Sequence, residues 1–136
     1  MDTITRQRRS LNMSRIRSSN TSPEMIVRRL VYKMGFRYRL HAKHLPGKPD
    51  LVFTRLRKII DVRGCFWHQH KRCIDSHIPK SNSDYWRPKL ARNVQRDRKN
   101  ERQLKANGWR MLTLWECELF EVEEVQQRVS AFLRGE

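Results

Sequence analysis

Read along its 136 residues, the chain alternates helical and strand patterns in the order helix, three strands, helix, strand, helix. That order predicts a mixed α/β domain with helices packed on a central sheet. The length suits one domain with a real core, and no internal repeat or low-complexity segment interrupts it. Composition divides the chain into a basic arm at residues 1–20 and a folded domain at 21–136.

The arm carries Arg6, Arg8, Arg9, Arg15 and Arg17 around isolated Leu11, Met13 and Ile16. No helical period links these apolar residues, so a mobile segment is expected in the free protein. Two readings of it stand level. One is a floppy terminus, the other an arm that folds onto nucleic acid and sets Met13 or Ile16 against bases.

Thr21-Ser22-Pro23-Glu24 starts the first helix. Thr21 or Ser22 can cap, Pro23 suits the first turn, and Glu24 stands at the capping-box spacing from Thr21. Val27, Leu30, Val31 and Met34 follow as one apolar stripe, which Gly35 ends. Glu24 is therefore most simply a capping residue. Phe36 to Leu40 alternates and predicts a strand with one basic face. After the loop Leu45-Pro46-Gly47-Lys48-Pro49, Asp50 to Phe53 and Lys58 to Val62 are two strands joined by a basic turn. A long helix is expected from about Lys89 to Asn107, ended by Gly108. Trp109 to Trp115 reads as a buried strand, and Val122, Val125, Val129, Phe132 and Leu133 mark a closing amphipathic helix.

The formal charge is +16, from 30 Lys and Arg against 14 Asp and Glu, and it spreads over most of the chain. Such a field draws a polyanion, nucleic acid first, without regard to its sequence. An anionic membrane is the competing partner. No apolar run approaches the roughly 18 residues of a spanning helix, and Met1-Asp2-Thr3 begins no signal peptide. With three cysteines that cannot pair evenly, one beside histidines, a reduced compartment and a metal suit the chain better than disulfides. The expectation is a soluble cytosolic protein.

The most concentrated chemistry lies in Gly64-Cys65-Phe66-Trp67-His68-Gln69-His70-Lys71-Arg72-Cys73. Cys65, His70 and Cys73 stand at short spacing, and Cys117 completes a set of three thiolates and one imidazole. Tetrahedral zinc takes that set. His68 is then the spare imidazole. On the long helix Leu90, Val94 and Leu104 share a stripe whose intermediate positions are Asp97 and Glu101. A carboxylate on the core side needs a partner. Asp97 either pairs with a nearby arginine or orients His68, fixing its tautomer and freeing the other nitrogen as a base.

Pro49-Asp50 at a strand start, followed by Asp61-Val62-Arg63 on the next strand, has the look of a magnesium nuclease core. Phosphodiester cleavage needs oxygen ligands to hold a hard cation and a base to activate water. Phe66 and Trp67 are adjacent aromatics, and Trp86 lies in a second polar segment. Core packing explains one of two neighbours on a loop, not both. Contact with bases suits aromatics interleaved with Arg and Lys.

From about Asn12 to Leu119 the chain resembles the very short patch repair (Vsr) DNA mismatch endonucleases. The resemblance rests on Leu45-Pro46-Gly47-Lys48-Pro49-Asp50, Gly64-Cys65-Phe66-Trp67-His68, Asn93-Val94 with Arg96-Asp97-Arg98, and Gly108-Trp109-Arg110 leading to Trp115-Glu116-Cys117, in order and at matching separations. It implies a restriction-endonuclease-like fold of the PD-(D/E)xK type. It also implies that Asp50 holds catalytic Mg2+ together with the Val62 backbone carbonyl, and that His68 is a general base held by Asp97. By the same resemblance Glu24 stands at an acidic position near the active site. Cys65, His70, Cys73 and Cys117 match structural Zn2+ ligands. Phe66, Trp67 and Trp86 match aromatics that wedge into the duplex beside a mismatch, with Met13 reaching from the other groove.

Two departures stand out. One residue more separates His70 from Cys73 than in a familiar family member, and Asp61 and Arg63 stand where that member has a non-acidic residue and a histidine. Asp61 is either a further Mg2+ ligand or a surface charge.

The implied activity is a nick in one strand of double-stranded DNA, 5′ of the thymine in a T:G mismatch left by 5-methylcytosine deamination. A cytosine-5 DNA methyltransferase and mismatch-repair proteins are the implied functional companions. A nucleoid-associated cytoplasmic protein is implied, and a monomer suffices for nicking. Competing readings are a zinc-stabilised DNA-binding module without catalysis, and a Mg-dependent nickase indifferent to mismatches. RNA binding suits the charge but has no supporting motif.

Overall fold

The computed structural model describes residues 21–135. The basic arm and Met13 lie outside the described residues. Helix α1 (Ser22–Lys33) begins as its capping signal predicts, with Thr21 Oγ1 accepting the Glu24 N–H at 3.3 Å. Val27 and Val31 are fully buried, and the chain turns away at Gly35, whose φ of +95° is costly for any residue with a Cβ.

The sheet contains β1 (Arg39–Leu40), β2 (Leu51–Phe53), β3 (Lys58–Arg63) and β4 (Arg110–Trp115), in that spatial order. The first two pairings are antiparallel, and β3 runs parallel to β4. A parallel pair needs a crossover, which α2 (Ser83–Ala106) supplies before α3 (Val122–Arg134) closes the chain. The alternating run expected at 36–40 yields only two ladder residues, because only Arg39 and Leu40 meet partners on β2. Phe36, Tyr38 and Leu40 still pack on the core, so the alternation predicted their facing correctly.

Both sheet faces are covered, which explains the near-continuous burial of β2 and of β3 up to Ile60. Leu51, Phe53, Ile60, Val62 and Leu114 meet Val27 and Val31 of α1 and Val125, Val129 and Leu133 of α3. On the opposite face Val52 and Ile59 pack with Leu104 of α2 and with Trp109. Lys58 is 6% exposed, and its Nζ donates to the carbonyls of Phe132 and Leu133. That contact satisfies acceptors which the end of α3 leaves open and sets a cation at the negative end of its dipole.

Helix α2 begins at Ser83, six residues before the expected start at Lys89. Pro88 lies inside it and removes one intrahelical N–H. The early start is held by Trp86, which is 5% exposed and packs edge-on against Phe66 and Trp67. Tertiary packing there overrides the helix-breaking signal. Among the described residues no helix is long and apolar enough to cross a membrane.

Candidate active site and cysteine cluster

The register that pairs Leu51 with Ile60 sets Asp50 across from Asp61, where β2 begins and β3 nears its end. The Asp50 N–H donates to Asp61 Oδ1 at 3.1 Å, and Asp50 Oδ2 accepts the Val62 N–H at 2.8 Å. A strand residue's N–H and C=O project to the same side, so the Val62 carbonyl also points toward the β2 side. Continuing the register places Pro49 opposite Val62, and proline has no N–H to give that carbonyl. An oxygen thus faces the Asp50 side without a ladder donor from its partner.

Glu24 comes to this place from α1. It shares the stripe of Val27 and Val31, one turn earlier, so the helix aims its side chain inward and leaves it 1% exposed. Its carboxylate therefore does more than the capping role read from sequence. Glu24 Oε2 lies 2.9 Å from His41 Nε2 and 3.5 Å from Arg28 Nη1. Ligand atoms of Glu24, His41 and Asp50 all fall within 4.8 Å of one another. Sequence reasoning passed over His41, which follows the short β1 and carries no motif of its own.

Burial and mutual repulsion both act on these carboxyls. Burial pushes the Asp50 carboxyl up to about 8, and the Asp61 and Glu24 carboxylates push in the same direction against the Val62 N–H. Burial also raises Asp61, and the charge of Arg63 opposes it. Arg63 lies 3.8 Å from Asp61 and 2.7 Å from Glu101 of α2.

Of the two partners open to Asp97, the fold selects the imidazole. Asp97 Oδ2 meets His68 Nδ1 at 2.6 Å, while Arg63 goes to Glu101 on the same helix face. His68 and Asp97 both act electrostatically on Asp61, so the pair adjoins the carboxylate cluster. With Nδ1–H donated to Asp97, Nε2 is the nitrogen free to accept a proton. The loop that presents His68 is braced from α2, where Asn93 Nδ2 donates to the Trp67 carbonyl at 3.1 Å.

Cys65, His70, Cys73 and Cys117 converge, with ligand atoms within 4.8 Å of one another. His70 Nδ1 lies 3.7 Å from Cys65 Sγ and 3.4 Å from Cys117 Sγ. The residue added between His70 and Cys73 does not keep Cys73 out. The loop carries left-handed backbone at Gln69 and Arg72 (φ +49° and +58°). The His70 ring stacks on Trp115, centroids 4.2 Å apart. Burial raises both the Cys65 thiol, to about 12, and the Cys117 thiol.

Phe66, Trp67 and Trp86 form one edge-to-face cluster with centroids 5.3–5.7 Å apart. Lys89 Nζ hangs 5.5 Å from the Trp67 ring. Phe66 and Trp67 are half-buried, whereas Trp86 is the buried member behind them.

The sheet resembles that of a solved nuclease. The catalytic domain of the homing endonuclease I-Bth0305I aligns with a TM-score of 0.56 at 21% identity, over 83% of this chain and 94% of that one. At that identity the likeness is one of fold.

Residues 1–74 match the family described as DNA mismatch endonuclease Vsr. The type II nicking enzyme V.XorIIP of Xanthomonas oryzae pv. oryzae is 44% identical over 97% of this chain and 96% of its own. V.NmeAIP of Neisseria meningitidis, another type II nicking enzyme, is 40% identical over 98% of this chain and 94% of its own. The DNA mismatch endonuclease Vsr of Escherichia coli is 35% identical over 94% of this chain and 85% of its own. The chain belongs to the Vsr family of DNA mismatch endonucleases.

Proposed function

We propose that this protein nicks one strand of duplex DNA 5′ of the thymine in a T:G mismatch, using a divalent cation such as Mg2+ at the Glu24–Asp50–Asp61 cluster. The observation that carries this reading is the His68–Asp97 pair at 2.6 Å, standing beside a carboxylate cluster in a chain of this family.

The donor set fits a hard cation. Asp50 and the Val62 carbonyl would supply oxygen ligands, with Asp61 across the strands as a candidate third, and burial together with the Asp61 and Glu24 carboxylates raises the Asp50 carboxyl. Bound there, the cation would stabilise the charge that develops on the scissile phosphate. The chain's own residues do the rest. Asp97 fixes the His68 tautomer, and His68 Nε2 takes the proton of the attacking water. Phe66 and Trp67, backed by Trp86, wedge beside the mismatch, where weak stacking lowers the cost of opening. Residues 1–20 would act as a DNA-contacting segment ahead of the nuclease domain, with Met13 meeting the DNA from the opposite groove. Cys65, His70, Cys73 and Cys117 suit structural zinc, whose charge would hold these thiols as thiolates.

A monomer suffices for cutting one strand. A cytosine-5 methyltransferase would create the methylated base whose deamination leaves T:G, and mismatch-repair proteins would share the lesion. With genomic DNA as substrate, the protein works in the bacterial cytoplasm, on the nucleoid. Asp50→Ala and His68→Ala are expected to lose cleavage and keep duplex binding. Near-normal cleavage by either variant contradicts the role assigned to that residue.

A further inference from the structure

We propose that His41 is a direct ligand of the divalent ion at this site, which makes the site a carboxylate–imidazole centre suited to Mn2+-class ions as well as Mg2+. The inference rests on the reading of the cluster as a cation site and adds a ligand to it.

Three observations carry it. The first is the separation of donors. Cis ligands of an octahedral ion with bonds of about 2.1 Å stand about 3.0 Å apart, and His41 Nε2 and Glu24 Oε2 are 2.9 Å apart. An ion bound to both would replace the proton that now bridges them, with little movement of either side chain.

The second is convergence from three elements. Glu24 comes from α1, His41 from the end of β1 and Asp50 from the start of β2, yet their ligand atoms all lie within 4.8 Å of one another. His41 is also tied to Asp50 by backbone, its N–H donating to the Asp50 carbonyl at 3.2 Å. The third is conformation. His41 is held at φ +47°, an uncommon region for a residue with a side chain of this size, and that geometry aims its ring back at Glu24.

An imidazole among carboxylates shifts preference along the divalent series, since nitrogen ligands suit Mn2+ and later metals better than Mg2+. Arg28, 3.5 Å from the same Glu24 oxygen, supplies partial compensation until an ion enters.

The test uses the full chain, supplied first with one equivalent of Zn2+ to fill the cysteine cluster, then with Mn2+ alone. Electron spin echo modulation of the bound Mn2+ reads 14N coupling directly. Coupling is expected in the wild type and is expected to vanish in His41→Gln, which keeps a side-chain donor to Glu24. Mn2+ affinity in that variant is expected to fall roughly ten- to a hundredfold. Mn2+ that binds in an Asp50-dependent way without 14N coupling overturns the ligand role and leaves His41 as a positioning residue for Glu24. Absence of any Asp50-dependent Mn2+ binding overturns the cation-site reading itself, and the His41 inference with it.

Discussion

Asp50 and Asp61 face each other across β2 and β3, and the two strands exchange carboxylate contacts there. Asp61 accepts the Asp50 N–H, and Asp50 accepts the Val62 N–H beside Asp61. Two acidic side chains thus act as extra rungs where Pro49 ends the backbone ladder. This arrangement holds the carboxylates in place at the cost of mutual repulsion, and a bound cation relieves that repulsion.

Burial, with that repulsion added, sets a pH dependence. Asp50 has its folded-state pKa raised to about 8, so the folded protein holds a proton that the unfolded chain releases near pH 4. Its contribution is most favourable below the unfolded value and is lost as pH rises toward 8. Thermal unfolding without added divalent ions should therefore show stability falling across that window. Asp50→Asn should flatten the fall and raise stability at pH 8 by on the order of 1 kcal/mol or more. Mg2+ or Mn2+ should raise the melting temperature of the wild type and not of the variant.

His68 and Asp97 should behave as one unit. Single-turnover cleavage by His68→Ala is expected to drop about 10²–10⁴-fold. Asp97→Asn should drop it by a smaller factor through the wrong tautomer. The double variant should be little worse than His68→Ala. Independent, multiplicative losses would separate the two residues.

The cysteine cluster should hold one metal per chain. Elemental analysis is expected to find one zinc, lost in Cys65→Ser and in Cys73→Ser. The Cys73 variant is the sharper of the two, because the added loop residue precedes it. Retained zinc in Cys73→Ser would exclude Cys73 from the ligand set.

Lys58 is a structural cation rather than a DNA contact. Lys58→Ala leaves the carbonyls of Phe132 and Leu133 short of a donor and should cost about 1–3 kcal/mol in chemical denaturation. Cleavage by the folded fraction should be unchanged.

Much of the site was legible because side-chain periodicity carries it. The stripe through Leu90, Val94 and Leu104 put Asp97 and Glu101 on the inner side of a helix, where they meet His68 and Arg63. The four zinc-type ligands were legible from residue chemistry, and the fold brings their atoms together. Two features were not legible, and a third, the inward role of Glu24, came from the resemblance alone. Periodicity placed Glu24 on the stripe of Val27, but the capping signal at the same residue masked it. His41 depends on a left-handed turn after a two-residue strand, which leaves no pattern in sequence. The early start of α2 depends on Trp86 packing against a loop 20 residues away, a contact that outweighs Pro88.

The measurement that bears most directly on the central claim is a nicking assay on labelled duplexes differing only in T:G against T:A. It would be run with Mg2+ and with a chelator, in several flanking contexts. Cation-dependent cleavage of the T strand alone, and only in the T:G duplex, is the expected result. Equal cleavage of both duplexes, or undiminished cleavage under chelation, would contradict it.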